Sequence, residues 1–227
     1  MAITHLATAV GNPQTTSLTY TLTAGQSIPA GSTIHVAAVA QAIGAAPTCS
    51  DNVNGAYTLD DLEAAGNLDA ALFRFSNNAA LGGGDAITVT FDASTFNRIV
   101  FVAWSDDLDL SSPLDQAPAS LDGNSTTPST GGQTLVNDAV RWLGVLGLGD
   151  NVISTFNEDP EFTGLASTDA NNRAAAYAYR DVASSETNDY APTLDAAVAW
   201  VDILAAYRKA GGGPAAARNL MLLGVGT

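Results

Sequence analysis

Gly84-Asp85-Ala86-Ile87-Thr88-Val89-Thr90-Phe91-Asp92, followed after a short break by Asn97-Arg98-Ile99-Val100-Phe101-Val102-Ala103-Trp104, is the stretch that decides the fold. In its first half Ile87, Val89 and Phe91 alternate with Thr88 and Thr90, the period-two pattern of a strand with one wet face. The second half is apolar on both faces and reads as a strand covered from both sides. An outer strand leading through a hairpin or corner into a central one is the logic of a β-sandwich or jelly roll.

The flanking chain repeats the pattern. Leu18, Tyr20 and Leu22 alternate with threonines, and Ile28-Pro29-Ala30-Gly31-Ser32 reverses the chain. Thr33 to Gln41 then reads as a mostly buried strand carrying His35, expected to be a hydrogen-bonded core or edge histidine rather than a ligand. Asp51-Asn52-Val53-Asn54-Gly55 is a turn signal, with Tyr57 and Leu59 resuming alternation after it. Asp60 to Ala65 permits one helical turn, and Leu68 to Phe75 is a strand. Gly82-Gly83-Gly84 is a loop with no Lys-Ser/Thr after it to make a phosphate cradle.

Further on, Pro118 to Gln133 is rich in Ser, Thr, Gly and Pro and reads as a long loop joining two halves of one sandwich. Gly144 and Gly147 in the apolar run Val140 to Leu148 favour a strand with a bulge. Phe162 to Ala166 and Arg173 to Val182 are shorter strands. Leu194 to Arg208 permits strand or helix, and a strand would complete the sandwich. The expected architecture is all-β: one antiparallel β-sandwich or jelly-roll domain over residues 1–210. The short tail, 211–227, carries Leu220, Met221, Leu222 and Leu223 and is expected to pack on the domain or on a neighbouring subunit.

Composition narrows the environment. Among 227 residues, 23 acids face 8 bases, a net charge of −15, and the isoelectric point is near 4.1. That sign repels phosphate backbones and anionic membranes, so neither nucleic acid nor a membrane is an expected partner. Lys209 is the only lysine, and the acids are mostly Asp. Such a surface suits concentrated salt, where screening shrinks to about 3 Å at 1 M; an acidic virion protein from a GC-rich genome is the other reading. Cys49 is alone, so no intrachain disulfide forms. The N-terminus lacks the basic and apolar regions of a signal peptide.

Sites are few. His5 and His35 are the only imidazoles, and neither stands in a nucleophile context. Cys49 beside Ser50 and Asp51 reads as a small buried thiol. Asp106, Asp107 and Asp109, with Asp115 returning, crowd carboxylates as Ca²⁺ requires, but the EF-hand spacing is missing and a solvated acidic loop is the plainer reading. Asn157-Glu158-Asp159-Pro160-Glu161 is discounted in the same way. Asn124-Ser125-Thr126 is a glycosylation sequon in an expected loop. No catalytic, metal or cofactor-binding residue is therefore assigned, and no cofactor is expected.

The order of pieces resembles a diffuse group of β-sandwich virion proteins of tailed viruses. The resemblance rests on Ile28-Pro29-Ala30-Gly31-Ser32-Thr33-Ile34, Pro47-Thr48-Cys49-Ser50-Asp51 with its Tyr57-Thr58-Leu59 return, and Gly84 to Phe91. It continues through Trp104-Ser105, Ser112-Pro113-Leu114-Asp115, Ala176-Tyr177-Ala178-Tyr179-Arg180 and the strand holding Trp200. The acid excess and near absence of lysine depart from the group and would suit a virus of a halophilic archaeon. The resemblance implies a non-enzymatic structural protein, assembled in the host cytoplasm into the virion as a capsid decoration or a turret or spike subunit. Its partners would be itself, as a trimer or pentamer, and other virion proteins such as the major capsid protein. The alternative is a receptor- or glycan-binding module of a tail or spike, with Trp142, Tyr177, Tyr179 and Tyr190 as the exposed aromatics it would need.

Overall fold

The computed structural model describes residues 3–41, 47–149 and 156–211, with the backbone alone for residues 92 and 93. The first half of the chain forms β1 (Thr4–Gly11), β2 (Thr15–Thr21), β3 (Thr33–Ala40), β4 (Thr48–Asp51), β5 (Gly55–Ala56), β6 (Thr58–Ala65), β7 (Leu68–Ser76), β8 (Ala86–Thr95) and β9 (Arg98–Ser105). The second forms β10 (Ala119–Ser125), β11 (Gln133–Thr134), β12 (Val140–Leu148), β13 (Phe156–Asn157), β14 (Thr163–Asp169), β15 (Ala174–Val182), β16 (Thr187–Asn188), β17 (Thr193–Leu194) and β18 (Val198–Arg208). No helix occurs among the described residues, and the protein is an antiparallel β-sandwich.

Three sheets stack. The middle one has the order β1-β9-β3-β7-β6; on one side lies β2-β8-β4-β5 and on the other β10-β18-β12-β15-β14. Two short ribbons, β11-β16 and β13-β17, cover the outer face of the last sheet. Because β3, β7 and β9 are covered on both faces, they are buried along nearly their whole length and mostly apolar, whereas β8 alternates. Ile34, Val36, Phe73 and Val102 pack toward Ile87, Val89 and Phe91. Ala37, Val39, Leu72 and Phe101 pack toward Leu143, Val145, Tyr177 and Ile203. Each Val, Leu, Ile or Phe side chain among them removed from water contributes about 1.5–3 kcal/mol, so this central layer welds the two halves.

The opening stretch is a corner: β8 and β9 sit in different sheets, and the chain crosses at Asn97, whose φ of 51° places it in the left-handed region. Of Leu194 to Arg208, Leu194 ends β17 and Val198 to Arg208 is the strand β18, with no helix between them. Three expectations fail. Pro118 to Gln133 is not simply a loop, since it holds β10, an edge strand paired along its length with β18. Asp60 to Ala65 is strand, not a helical turn, because pairing with β7 satisfies its backbone. β12 carries no bulge, as its registers with β15 and β18 run without a shift. Its glycines make room instead: a Cβ on Gly144 would stand 2.7 Å from the Tyr190 ring, and one on Gly147 would stand 2.9 Å from Val39 and Val201. The tail beyond Gly211 lies outside the described residues.

The second half reuses the strand plan of the first. Substituting β10, β18, β12, β15 and β14 for β1, β9, β3, β7 and β6 reproduces the sheet order. The bulge between Leu59 and Asp61, opposite Phe73 and Leu72, recurs between Gly164 and Ala166, opposite Ala178 and Tyr177. Positive φ precedes β3 at Gly31 and β12 at Ala139, and closes the turns before β7 at Gly66 and before β15 at Asn171. Gly11 lies under Arg98 as Gly123 lies under Trp200. Asp51 and Asp159, both buried, each accept the backbone N–H two residues on.

Candidate functional site

The densest polar cluster sits at one end of the central layer, where the two five-stranded sheets face each other. β3 alternation turns His35 toward this layer, and register sets it beside Arg74 of β7. Asp60 is the extra residue of the β6 bulge, which frees its side chain from the pleat and aims it inward. There it accepts hydrogen bonds from Arg74 Nε at 2.8 Å and from Tyr207 Oη, on the opposite sheet, at 2.6 Å. Burial raises the Asp60 carboxyl above the usual range, even though the Tyr207 and Arg74 contacts pull it down.

Across the layer Arg141, fully buried on β12, is clamped by two carboxylates. Its Nη1 and Nη2 donate to Asp107 at 2.8 and 3.2 Å, and its Nε and Nη2 donate to Asp181 at 2.8 and 3.0 Å. Lys209 Nζ adds a contact to Asp181 at 2.9 Å. Burial alone would lower the Arg141 pKa; the Asp181 and Asp107 bonds hold it above its usual value. Such fork-on-carboxylate pairs are directional as well as strong.

His35 is in the core, as expected, but not hydrogen bonded: neither ring nitrogen has a partner among the described residues. Its ring stands edge-to-face on Tyr207 with centroids 4.7 Å apart. Burial, then the positive charges of Arg141 and Arg74, push its pKa down to about 3, so the imidazole is neutral. Burial likewise raises Tyr177 and Tyr207. The cluster joins two sheets; it offers no imidazole that takes a proton near neutral pH.

The acidic loop does not converge. Asp107 serves Arg141, Asp109 accepts from Ser111 and Ser112, and Asp115 accepts from the backbone of Val136 and Asn137. Among the described residues no three His, Cys, Asp or Glu side chains group as a metal would need. A cavity of about 480 Å³ opens beside this loop, lined by Asp106, Leu108, Leu110 and Gly211. In the second acidic run, Glu158 accepts from Tyr190 Oη at 2.7 Å and Asp159 accepts from the Glu161 and Ala191 backbones. Cys49 is buried, and burial with the nearby Asp51 charge pushes its thiol up. His5, on edge strand β1, contacts Thr8 Oγ1 at 3.2 Å.

The aromatics fare similarly. Trp142, Tyr177 and Tyr190 are fully buried, so three of the four side chains that a glycan platform would use are core. Tyr179 is half-buried near the Arg141 guanidinium, 6.0 Å from its centroid. Asn124 of the sequon lies in β10, and Ser125 beside it accepts from Trp200 Nε1 at 3.0 Å. Sequence reasoning missed Asp60, Arg141 and Tyr207 because a bulge and two non-local pairings bring them together. It also missed Asp202, a fully buried carboxyl with no side-chain hydrogen-bond partner among the described residues, whose signal was an acid inside an otherwise apolar run.

Compared with known proteins, the chain matches no family model, no curated protein and no solved structure.

Proposed function

We propose that the protein is a structural component of a tailed-virus particle, a capsid decoration or a turret or spike subunit that stabilises the shell through contacts between subunits. The observation that carries the reading is the use made of its polar side chains. Tyr207 ties Asp60 to the opposite sheet, Asp107 of the loop after β9 and Asp181 of the neighbouring strand β15 clamp Arg141, Asp51, Asp109 and Asp115 cap turns, and the cavities beside the acidic loop and beside β14 lie away from His35. A body built this way holds its shape and presents edges. Val10, Leu59 and Leu121, exposed on the edge strands β1, β6 and β10, offer apolar contact to neighbours. Its partners are further copies of itself and the major capsid protein, met in the host cytoplasm during assembly.

Quantitative mass spectrometry of purified particles tests the reading. Hundreds of copies per particle support decoration, and a handful support a vertex or tail position. Absence from particles made by cells that express the protein overturns it.

A further inference from the structure

The repeated strand plan allows the two halves to be compared edge by edge, and one pair of equivalent edges has diverged in charge. On β6 the bulge residue and its neighbours are Asp60, Asp61 and Glu63, the inward and edge charges that keep a free strand from pairing with another chain. At the matching positions β14 has Leu165, Ala166 and Thr168. Its sequence Thr163-Gly164-Leu165-Ala166-Ser167-Thr168-Asp169 contains no proline or lysine and one acid, at the end. Among the described residues β15 is its only strand partner. A groove of about 310 Å³, lined by Phe156, Glu158, Leu165, Ala166 and Ser167, runs beside it. The strand it meets across the central layer, β1, is Thr4-His5-Leu6-Ala7-Thr8-Ala9-Val10-Gly11, also without an acid.

On a chain of net charge −15, a second, equally acidic copy can approach this edge with less repulsion than the edge at β6. We propose that β14 pairs antiparallel with β14 of a second copy of this chain, joining their outer five-stranded sheets into one. A two-fold axis near Ala166 places the two Asp169 residues at opposite ends of the ladder, about 20 Å apart at 3.3–3.4 Å per residue, beyond the screening length of about 8 Å at physiological salt. Main-chain bonds supply the pairing, and Leu165 of each copy lies beside a groove. The proposal concerns the protein in solution and does not depend on the particle reading.

Sedimentation velocity on the full chain from about 1 to 200 μM tests it, alongside Thr168→Glu, which transplants the counterpart Glu63, and Ser167→Lys at an exposed position. Glu63→Thr on β6 is the control. The expected result is a species of twice the 23.1 kDa chain mass whose dissociation constant rises at least tenfold in both β14 variants and is unchanged in the control, with melting curves of the monomers alike. A wild type that stays monomeric throughout, or an oligomer that both β14 variants leave intact, overturns the proposal.

Discussion

Replacing Gly144 by alanine sets a methyl group against the buried ring of Tyr190. The added Cβ would stand 2.7 Å from Cγ and Cδ1 and 2.9 Å from Cδ2, whereas carbon atoms in contact prefer about 3.5–4.0 Å. The ring must therefore retreat by about 1 Å, yet its hydroxyl is held by Glu158 at 2.7 Å and its face packs on Phe162 with centroids 4.9 Å apart. Forced overpacking costs about 1–3 kcal/mol, and loss of glycine's freedom in the unfolded chain returns about 0.4–1 kcal/mol. The net expectation is a loss of about 1–2 kcal/mol, or roughly 2–8 °C in Tm for a chain of this size. Urea unfolding followed by tryptophan fluorescence measures it. The same substitution in a Tyr190→Ala background, itself about 3–5 kcal/mol less stable, should cost nothing further, giving a coupling of about 1 kcal/mol or more. An unchanged or raised stability of Gly144→Ala, or an equal cost in both backgrounds, refutes the packing argument.

Tyr207→Phe removes the hydroxyl that links Asp60 to the opposite sheet and should cost about 1.5–3 kcal/mol, as for a hydrogen bond to a charged acceptor; a loss below about 0.5 kcal/mol in urea unfolding would contradict the cross-sheet role. His35 and Asp202 should oppose each other in pH dependence. The folded pKa of His35, about 3, lies below its ordinary value of 6.5, so the unfolded chain takes the proton first. Its contribution is present above about pH 6.5 and drains at about 1.4 kcal/mol per unit as pH falls toward 3. Asp202 is the reverse: burial holds its carboxyl well above the usual range, so its contribution is present in acid, below about pH 3.9, and is lost as pH rises toward its folded value. Unfolding at pH 5, 6 and 7 should show His35→Leu losing less on acidification than the wild type, and Asp202→Asn losing less on the way up; parallel curves for either variant would count against its assignment. Thermal stability should climb as NaCl goes from dilute to molar, because screening relieves the self-repulsion of a −15 chain; a flat or falling Tm is the contrary outcome.

The repeat shows why some features escape a reading of residues in order. Ala65, Asn67, Ala70 and Ala71 recur at Ala170, Asn172, Ala175 and Ala176, each in the matching place relative to its turn and bulge. Around them Phe73 is matched by Ala178 and Leu72 by Tyr177. A shared backbone constrains which face a side chain occupies and how much volume its layer must fill, and many residue sets meet those two conditions. Register, bulge position and the sign of φ persist where identities do not.

Alternation along β2 and β8, the turn at Pro29 and Gly31, and the doubly apolar β9 were legible in the residues alone, because side-chain period is a property of a few consecutive peptides. The same holds for the acidic surface and for the buried character of His35 and Cys49. Which strands lie side by side, the bulge that turns Asp60 inward, the clamp on Arg141 and the burial of Trp142 and Tyr190 were settled only in three dimensions. Each depends on partners tens of residues away in the chain, and neither composition nor periodicity carries information about who those partners are.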